Sequence, residues 1–281
     1  MSKIPDGVDR DQITVVARRV LLDGLEALET HRDAITVIGA QAVYLRTVEA
    51  AIRSAGFTSD GDLSIDPQRL PKEPHLNKAL EDAGFAVMDH QPGLWQKRQQ
   101  IGDIEVPVEL DLLIGKSLAP TGKRSAQIPP HGQMSARWVE GIELACVDRS
   151  PMVVAGLDPA DDRRITVNVA GVCALLVAKS FKIHDRATRA DKYPERLVNK
   201  DAGDVIRIMM ATQALEVAAA FDALQTDERV GEVAVRGRRL LEELFGGRGT
   251  KGVTMAVEAL RGDVAEGRVT ALAPAFIRAL T

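Results

Sequence analysis

The sequence predicts an α+β protein: a mixed-sheet N-terminal part over residues 1–170 and an α-helical C-terminal part over 171–281. Two observations predict it. Before residue 170, strand-like runs such as ITVIGA (35–40), TSDGDLSID (58–66) and VPVELDLLIG (106–115) recur between helical stretches. After Gly171 the composition becomes helical and alanine-rich, as in ATQALEVAAAFDAL, and no repeat period or low-complexity tract interrupts it.

Taken in order, residues 9–31 carry Val15, Val16, Val20, Leu21, Leu25 and Leu28 at helical spacing, which predicts a helix ending before the strand at 35–40. A second helix is expected from Gln41 to about Ser54, broken by Gly56 before the aspartate-rich strand. PHLNKALEDAGF (74–85) reads as a helix with Pro74 in its first turn and Gly84 closing it. FAVMDH, LWQKRQQ and VPVELDLLIG then read as strands, the last with Glu109 and Asp111 on one face. Residues 116–137 hold three prolines and two glycines, which predicts a long exposed loop. IELACV and RRITVNV are the remaining strand candidates.

Of the 281 residues, 45% are hydrophobic and 27% charged, the balance of a soluble globular chain. Cys146 and Cys173 have neither disulfide-scaffold nor zinc-site spacing, so a reducing, cytoplasmic setting is expected. MSKIPDGVDRDQ lacks a signal-peptide core and no run of about 18 apolar residues occurs, so no membrane partner is expected. A net charge of −4 argues against coating nucleic acid by overall charge. Locally, Lys179, Lys182, Arg186, Arg189, Lys192, Arg196 and Lys200 outnumber Asp185, Asp191 and Glu195, and Arg236, Arg238, Arg239, Arg248 and Lys251 form a smaller basic cluster. A solvated surface is the alternative for each.

The chemistry begins with Asp60, Asp62 and Asp66. On a strand, alternation sends Asp60, Asp62, Ser64 and Asp66 to one face and Leu63 and Ile65 to the other, so a positive partner should wait beside the acids. Same-face neighbours sit roughly 6–7 Å apart, a gap a divalent cation can bridge. Mg2+ favours such oxygens, and Asp111 from a neighbouring strand would complete the set of Asp60, Asp62 and Asp111. The alternative for Asp60-Gly61-Asp62 is an acidic turn. Upstream, IGAQAVYL (38–45) ends a strand in a small-residue turn that opens a helix, where backbone N–H groups hold phosphate.

That apolar-Gly-small turn, the helix after it, the Asp-x-Asp of TSDGDL and the later Leu110-Asp111-Leu112 resemble the core of the nucleotidyltransferase superfamily. The gap from Ala40 to Asp60 is longer than the superfamily usually has. LLVAKSFKIHDR (175–186) followed by NKDAGDVIRIM (199–209) is similar to the abortive-infection nucleotidyltransferase toxins of the AbiEii and MenT groups, which pair a helical lysine with a later Lys-Asp-x-x-Asp. The likeness spans about residues 35–210. It implies a nucleotidyltransferase-like mixed sheet and a nucleotide site at Gly39, Ala40, Ser59 and Lys182. It also implies metal on Asp60, Asp62 and Asp111, with Lys179 and Asp201 completing the catalytic set. The reaction implied is transfer of a nucleoside monophosphate from an NTP to the 3′ acceptor end of tRNA, by a toxin with a cognate antitoxin.

The residues themselves point the same way at Lys179, which falls inside the apolar stripe Val172, Leu175, Leu176 and Ile183. A charge there needs a partner or must snorkel out. Asp201, opening the next helix, would cap it or orient Lys179. Gly115-Lys116-Ser117 resembles the end of a P-loop, but Leu110 stands where the first glycine belongs. His31, His75, His90, His131 and His184 show no ligand spacing and read as packing or surface residues. Two rival functions remain: modification of a protein hydroxyl, with Ser59 or Thr58 as a self-target, and a catalytically silent nucleotide-binding module.

Overall fold

The computed structural model describes residues 7–48, 50, 52 and 57–280. It is an α+β protein with a mixed sheet. In chain order come α1 (Arg10–Ala27), β1 (Ile35–Ile38), α2 (Gly39–Arg46), β2 (Asp60–Ile65), α3 (Leu76–Asp82), β3 (Ala86–Val87), β4 (Leu94–Ile101), β5 (Ile104–Gly115) and β6 (Arg137–Val139). These are followed by β7 (Arg149–Ala155), β8 (Arg164–Ala170), α4 (Val172–Thr188), α5 (Lys200–Ala211), α6 (Ala214–Gln225), α7 (Gly231–Phe245), α8 (Lys251–Ala259) and α9 (Glu266–Leu280). The chain divides into two compact units: Met1–Ala42, Gly56–Val139 and Arg149–Ala170 form the first, and Val43–Ala55, Glu140–Asp148 and Gly171–Thr281 the second. No helix among the described residues is long and apolar enough to cross a membrane.

The first unit is built on one sheet of order β3-β4-β5-β2-β1-β8-β7, with β6 beside the end of β5. β2 runs antiparallel to β1 and parallel to β5, placing Asp60 beside Glu109 and Asp62 beside Asp111. α1 covers the opposite face. Its entry is fixed by a capping box, in which Asp9 accepts from the Asp11 and Gln12 amides and Gln12 reaches back to the Asp9 amide. Gly61 belongs to a strand and not to an acidic turn. A Cβ there would lie 3.0 Å from a Leu110 methyl and 3.4 Å from Leu21 of α1, so the glycine is the clearance that lets the helix settle on the sheet.

Several elements differ from the sequence reading. The second helix begins at Gly39 and ends at Arg46, and residues 49, 51, 53 and 54 of the expected span lie outside the described residues. IELACV is a 3-10 turn over Glu143–Cys146, not a strand, because the buried Glu143 carboxylate accepts the Gly141 amide at 2.7 Å and closes the chain on itself. β7 escapes the pattern because Pro151 interrupts it, which is tolerated on an edge strand. Asp66 lies just beyond β2, where it is buried and accepts the Gln68 amide at 3.1 Å in a tight turn.

The 116–137 segment is long but not exposed throughout. Ala126, Ile128, His131, Ser135 and Ala136 are buried, and the fully buried Trp95 donates its indole N–H to the Ser135 carbonyl at 3.1 Å. His31, His75 and His131, scattered in sequence, meet here with ring centroids 5.8 and 5.9 Å from that of His131. His131 Nδ1 accepts the Leu76 amide at 3.2 Å, so its Nε2 donates to the Pro71 carbonyl at 3.1 Å, while His31 Nε2 donates to the Pro74 carbonyl at 2.8 Å. With both His131 nitrogens engaged by backbone, the cluster is a latch on the segment, not a ligand set.

Burial lowers the His31 pKa, and burial together with the His31 ring lowers that of His131. The unfolded chain, at about 6.5, therefore takes up protons first, and the latch is fully stable above that pH and weakens as pH falls below it. Hydrogen exchange in residues 121–137, corrected for intrinsic rates, should accelerate roughly tenfold between pH 7 and 5.5, the loss of about one net hydrogen bond. His131→Asn, whose Oδ1 takes the place of Nδ1, should flatten that dependence. An equal acceleration in the variant would count against the latch.

Candidate active site

Strand alternation and the β2–β5 register put Asp60, Asp62, Glu109 and Asp111 on one face of the sheet, away from α1. Thr58 Oγ1 donates to Asp60 Oδ1 at 2.7 Å, and the Asp60 carbonyl accepts from Gln41 Nε2 at 3.0 Å. Gln41 is itself held by Arg18 Nε at 2.6 Å and by the Ala17 carbonyl at 3.2 Å. α1, α2 and β2 are thus tied together at the start of the acidic strand.

Gly39 opens α2 with φ +70°, and a Cβ there would stand 1.9 Å from Asp62 Oδ2. The missing side chain is the space the carboxylate occupies. The positive partner is Arg137, whose Nη2 donates to Asp111 Oδ2 at 2.6 Å. β6 runs parallel to β5 with Arg137 beside Leu113, which sends the arginine to the face that carries Asp111.

Asp111 is only 8% exposed, and its Oδ1 is buried without a hydrogen-bond partner. Burial first, then the neighbouring Asp62, pushes its pKa up to about 7 against the opposing pull of Arg137. A carboxyl poised near neutrality can exchange a proton with an incoming group. The acid face also fits a divalent cation, since it offers carboxylate oxygens, one of them unmet. Among the described residues, no group of three or more His, Cys, Asp or Glu side chains is placed to hold a metal ion, so Asp60, Asp62 and Asp111 do not together make the expected three-acid metal site. An Mg2+ site of one or two carboxylates completed by substrate phosphates suits this arrangement.

Ala40 follows Gly39 in the first turn of α2, and Ser59 directly precedes β2. Lys179, Lys182 and Asp201 belong to the second unit. α4 begins where Asp148, not the first helical residues, supplies the cap: its Oδ2 accepts the Ala174 amide at 2.7 Å. Seven residues into the helix, Lys179 is 4% exposed and does not snorkel; its Nζ donates to Asp201 Oδ1 at 2.8 Å and Asp204 Oδ2 at 2.7 Å. Burial alone would lower the lysine pKa, but Asp201 and Asp204 hold it above its usual value. Asp201, which burial would raise, is held well below the carboxylate range by Lys179 and then Lys182.

Asp201 sits in the first turn of α5, yet its carboxylate gathers Lys179, Lys182 at 3.1 Å and Arg186 at 3.0 Å. Lys200 and Arg207 flank the Tyr44 ring at 5.6 and 5.4 Å from its centroid. In the other basic cluster, Arg236 is paired with Glu140, and Arg238 reaches Asp222 at 2.8 Å. Arg236 also lies over Phe181, so these arginines serve packing within their unit. His184 stands 3.9 Å from Glu243.

Sequence reasoning missed Arg137, and it read Asp204 as a first-turn acid favouring the helix dipole, not as a partner of Lys179. The crowding of acids signalled that a cation was needed but not which one, since Arg137 reaches Asp111 only through the parallel pairing of β6 with β5. Asp204 was legible as the second acid of Lys200-Asp201-Ala202-Gly203-Asp204, one helical turn after Asp201. Comparison with family models, curated proteins and solved structures finds no match to the chain.

Two outcomes follow. Because the folded carboxyl of Asp111 holds its proton to about pH 7, against about 3.9 when unfolded, ionised Asp111 costs stability as pH rises through that window. Asp111→Asn should raise the metal-free melting temperature by about 3 °C at pH 8 and leave it nearly unchanged at pH 4; a lowered value at pH 8 would contradict the assigned strain. Gly39→Ala combines a left-handed backbone with a collision against Asp62, and should cost more than about 2 kcal/mol in denaturant unfolding.

Proposed function

We propose that this protein is a metal-dependent nucleotidyltransferase that moves a nucleoside monophosphate from an NTP to an acceptor hydroxyl. The observation that carries the reading is the acid face of β2 and β5: Asp60, Asp62 and Asp111 in register, with Asp111 half-met and poised near neutrality. In the proposed reaction Asp60 and Asp62 hold Mg2+ with Asp111 beside them. Bound there, the ion would polarise the α-phosphate and offset charge on the pyrophosphate leaving group. Asp111 orients the attacking hydroxyl and takes its proton as the new O–P bond forms and the α–β bridge breaks. The first-turn amides of α2, at Gly39 and Ala40, donate to phosphate oxygens, with Ser59 alongside.

Lys179 serves this reading by anchoring Asp201 and Asp204, around which Lys182, Arg186 and Lys200 gather as a cationic group suited to polyphosphate. The acceptor proposed is the 3′ end of tRNA, a cytoplasmic substrate, with a cognate antitoxin restraining the activity. The support for it is the likeness of 175–186 and 199–209 to the AbiEii and MenT toxins, together with the basic strip on α4. Self-modification at Thr58 is the weaker reading. Thr58 is 3% exposed and its hydroxyl is committed to Asp60.

The test incubates purified protein with each labelled NTP, Mg2+ and total RNA. Label should appear on RNA of tRNA size and fall at least about 100-fold in Asp62→Ala. Equal labelling by the variant, or no transfer with any NTP, would end the proposal, and label on the protein itself would redirect it to a protein acceptor.

A further inference from the structure

Arg137 and Asp111 form an ion pair that is unmet on both sides. One Nη2 to Oδ2 bond of 2.6 Å joins them, while the buried Asp111 Oδ1 and the buried Arg137 Nε have no partner among the described residues. An arginine facing a carboxylate ordinarily closes as a fork, with two parallel bonds. Here one prong is made and the other acceptor and donor are left over. The pair is also unequal in depth: the Arg137 side chain is 29% exposed and that of Asp111 12%, so the arginine has a way out and the acid does not.

The two leftovers call for opposite charges. Oδ1 wants a cation or a proton donor, and Nε wants an anionic oxygen. A bare divalent cation would satisfy the acid but press against the guanidinium. Bare phosphate would satisfy the arginine but bring negative charge to a face that already holds Asp60, Asp62, Glu109 and Asp111. A cation already carrying phosphate oxygens meets both, because the planar guanidinium fork matches phosphate as well as carboxylate. The movement asked for is one of the side chain alone: the Arg137 backbone is held by the end of β5 on one side and by a bridge to Ser125 on the other, while the half-exposed guanidinium is tied to Asp111 by a single bond.

We propose that Arg137 is a displaceable counter-ion: it occupies Asp111 until a divalent cation bound to a nucleoside triphosphate arrives, then yields the carboxylate and transfers its guanidinium to the phosphate chain. The inference rests on the nucleotidyltransferase reading and adds to it a residue that makes metal and nucleotide bind together. Free cation is resisted and cation–nucleotide is admitted. By linkage, nucleotide then tightens cation binding and cation tightens nucleotide binding by the same factor.

The experiment measures Mn2+ binding by electron paramagnetic resonance, with and without an α,β-methylene NTP analogue, for wild type and Arg137→Gln. With its competitor gone, the Gln variant should bind free Mn2+ roughly tenfold tighter. The analogue should tighten Mn2+ at least about fivefold in wild type and less than about twofold in the variant. Arg137→Lys, which keeps the charge but not the fork, covers the case of a Gln variant that does not fold; it should resist free Mn2+ as wild type does and show reduced coupling. If wild type binds Mn2+ and the Gln variant binds it equally or more weakly, or if the Lys variant keeps full coupling, Arg137 is a fixed support and the inference is overturned while the enzymatic reading stands. Absence of Mn2+ and Mn2+–nucleotide binding by wild type overturns both.

Discussion

Four carboxylates on one face of two adjacent strands are the constraint around which the first unit is organised. Like charges in register repel, and the parallel β2–β5 pairing leaves Asp62 and Asp111 no lateral escape. Such a sheet is tolerable only if the acids are divided between water, hydrogen-bond donors and a counter-ion. Thr58 serves Asp60, and Arg137 serves one oxygen of Asp111. The other oxygen stays unmet, and burial together with the charge of Asp62 pushes that carboxyl up to about 7. An arrangement optimised for stability alone would have closed the fork or replaced an acid by an apolar residue.

Both sides of the sheet answer to that face. Gly61 lets α1 press on the opposite side and bury Leu63, Leu110 and Leu112, which gives the acidic strands a rigid backing. Gln41 and Arg18 fix the first turn of α2 against α1 and the start of β2. The histidine latch ties the segment that ends in Arg137 to the backbone of Leu76 and Pro71, and β5 and Ser125 hold Arg137 itself.

What could be read from the sequence was whatever depended on local periodicity. Alternation placed Asp60, Asp62, Glu109 and Asp111 on strand faces, and the stripe through Val172, Leu175, Leu176 and Ile183 exposed Lys179 as a charge in an apolar setting. What could not be read depended on pairing between distant segments. Arg137 lies 26 residues from Asp111 in sequence, and no local pattern distinguishes it from other arginines. The histidines meet only after residues 31, 75 and 131 are folded together. IELACV looked like a strand because its apolar residues suit either structure, and the deciding contact, Glu143 to the Gly141 amide, is a side-chain bond that periodicity does not register.

The two units handle buried charge in opposite ways. Around Lys179, a single ammonium donates to two carboxylates, and Asp201 is surrounded by further cations, so each buried group is met and each charged form is favoured. Removing one member of such a set leaves an uncompensated buried charge, at a typical cost of about 3–5 kcal/mol, which makes it a rigid mount for the cations around it. Around Asp111 the charges are met by halves and the carboxyl is balanced between two protonation states. A group already satisfied gains little from a substrate. One left wanting gains a partner at the moment of binding, which is the physical ground for assigning the proposed chemistry to the β2–β5 face.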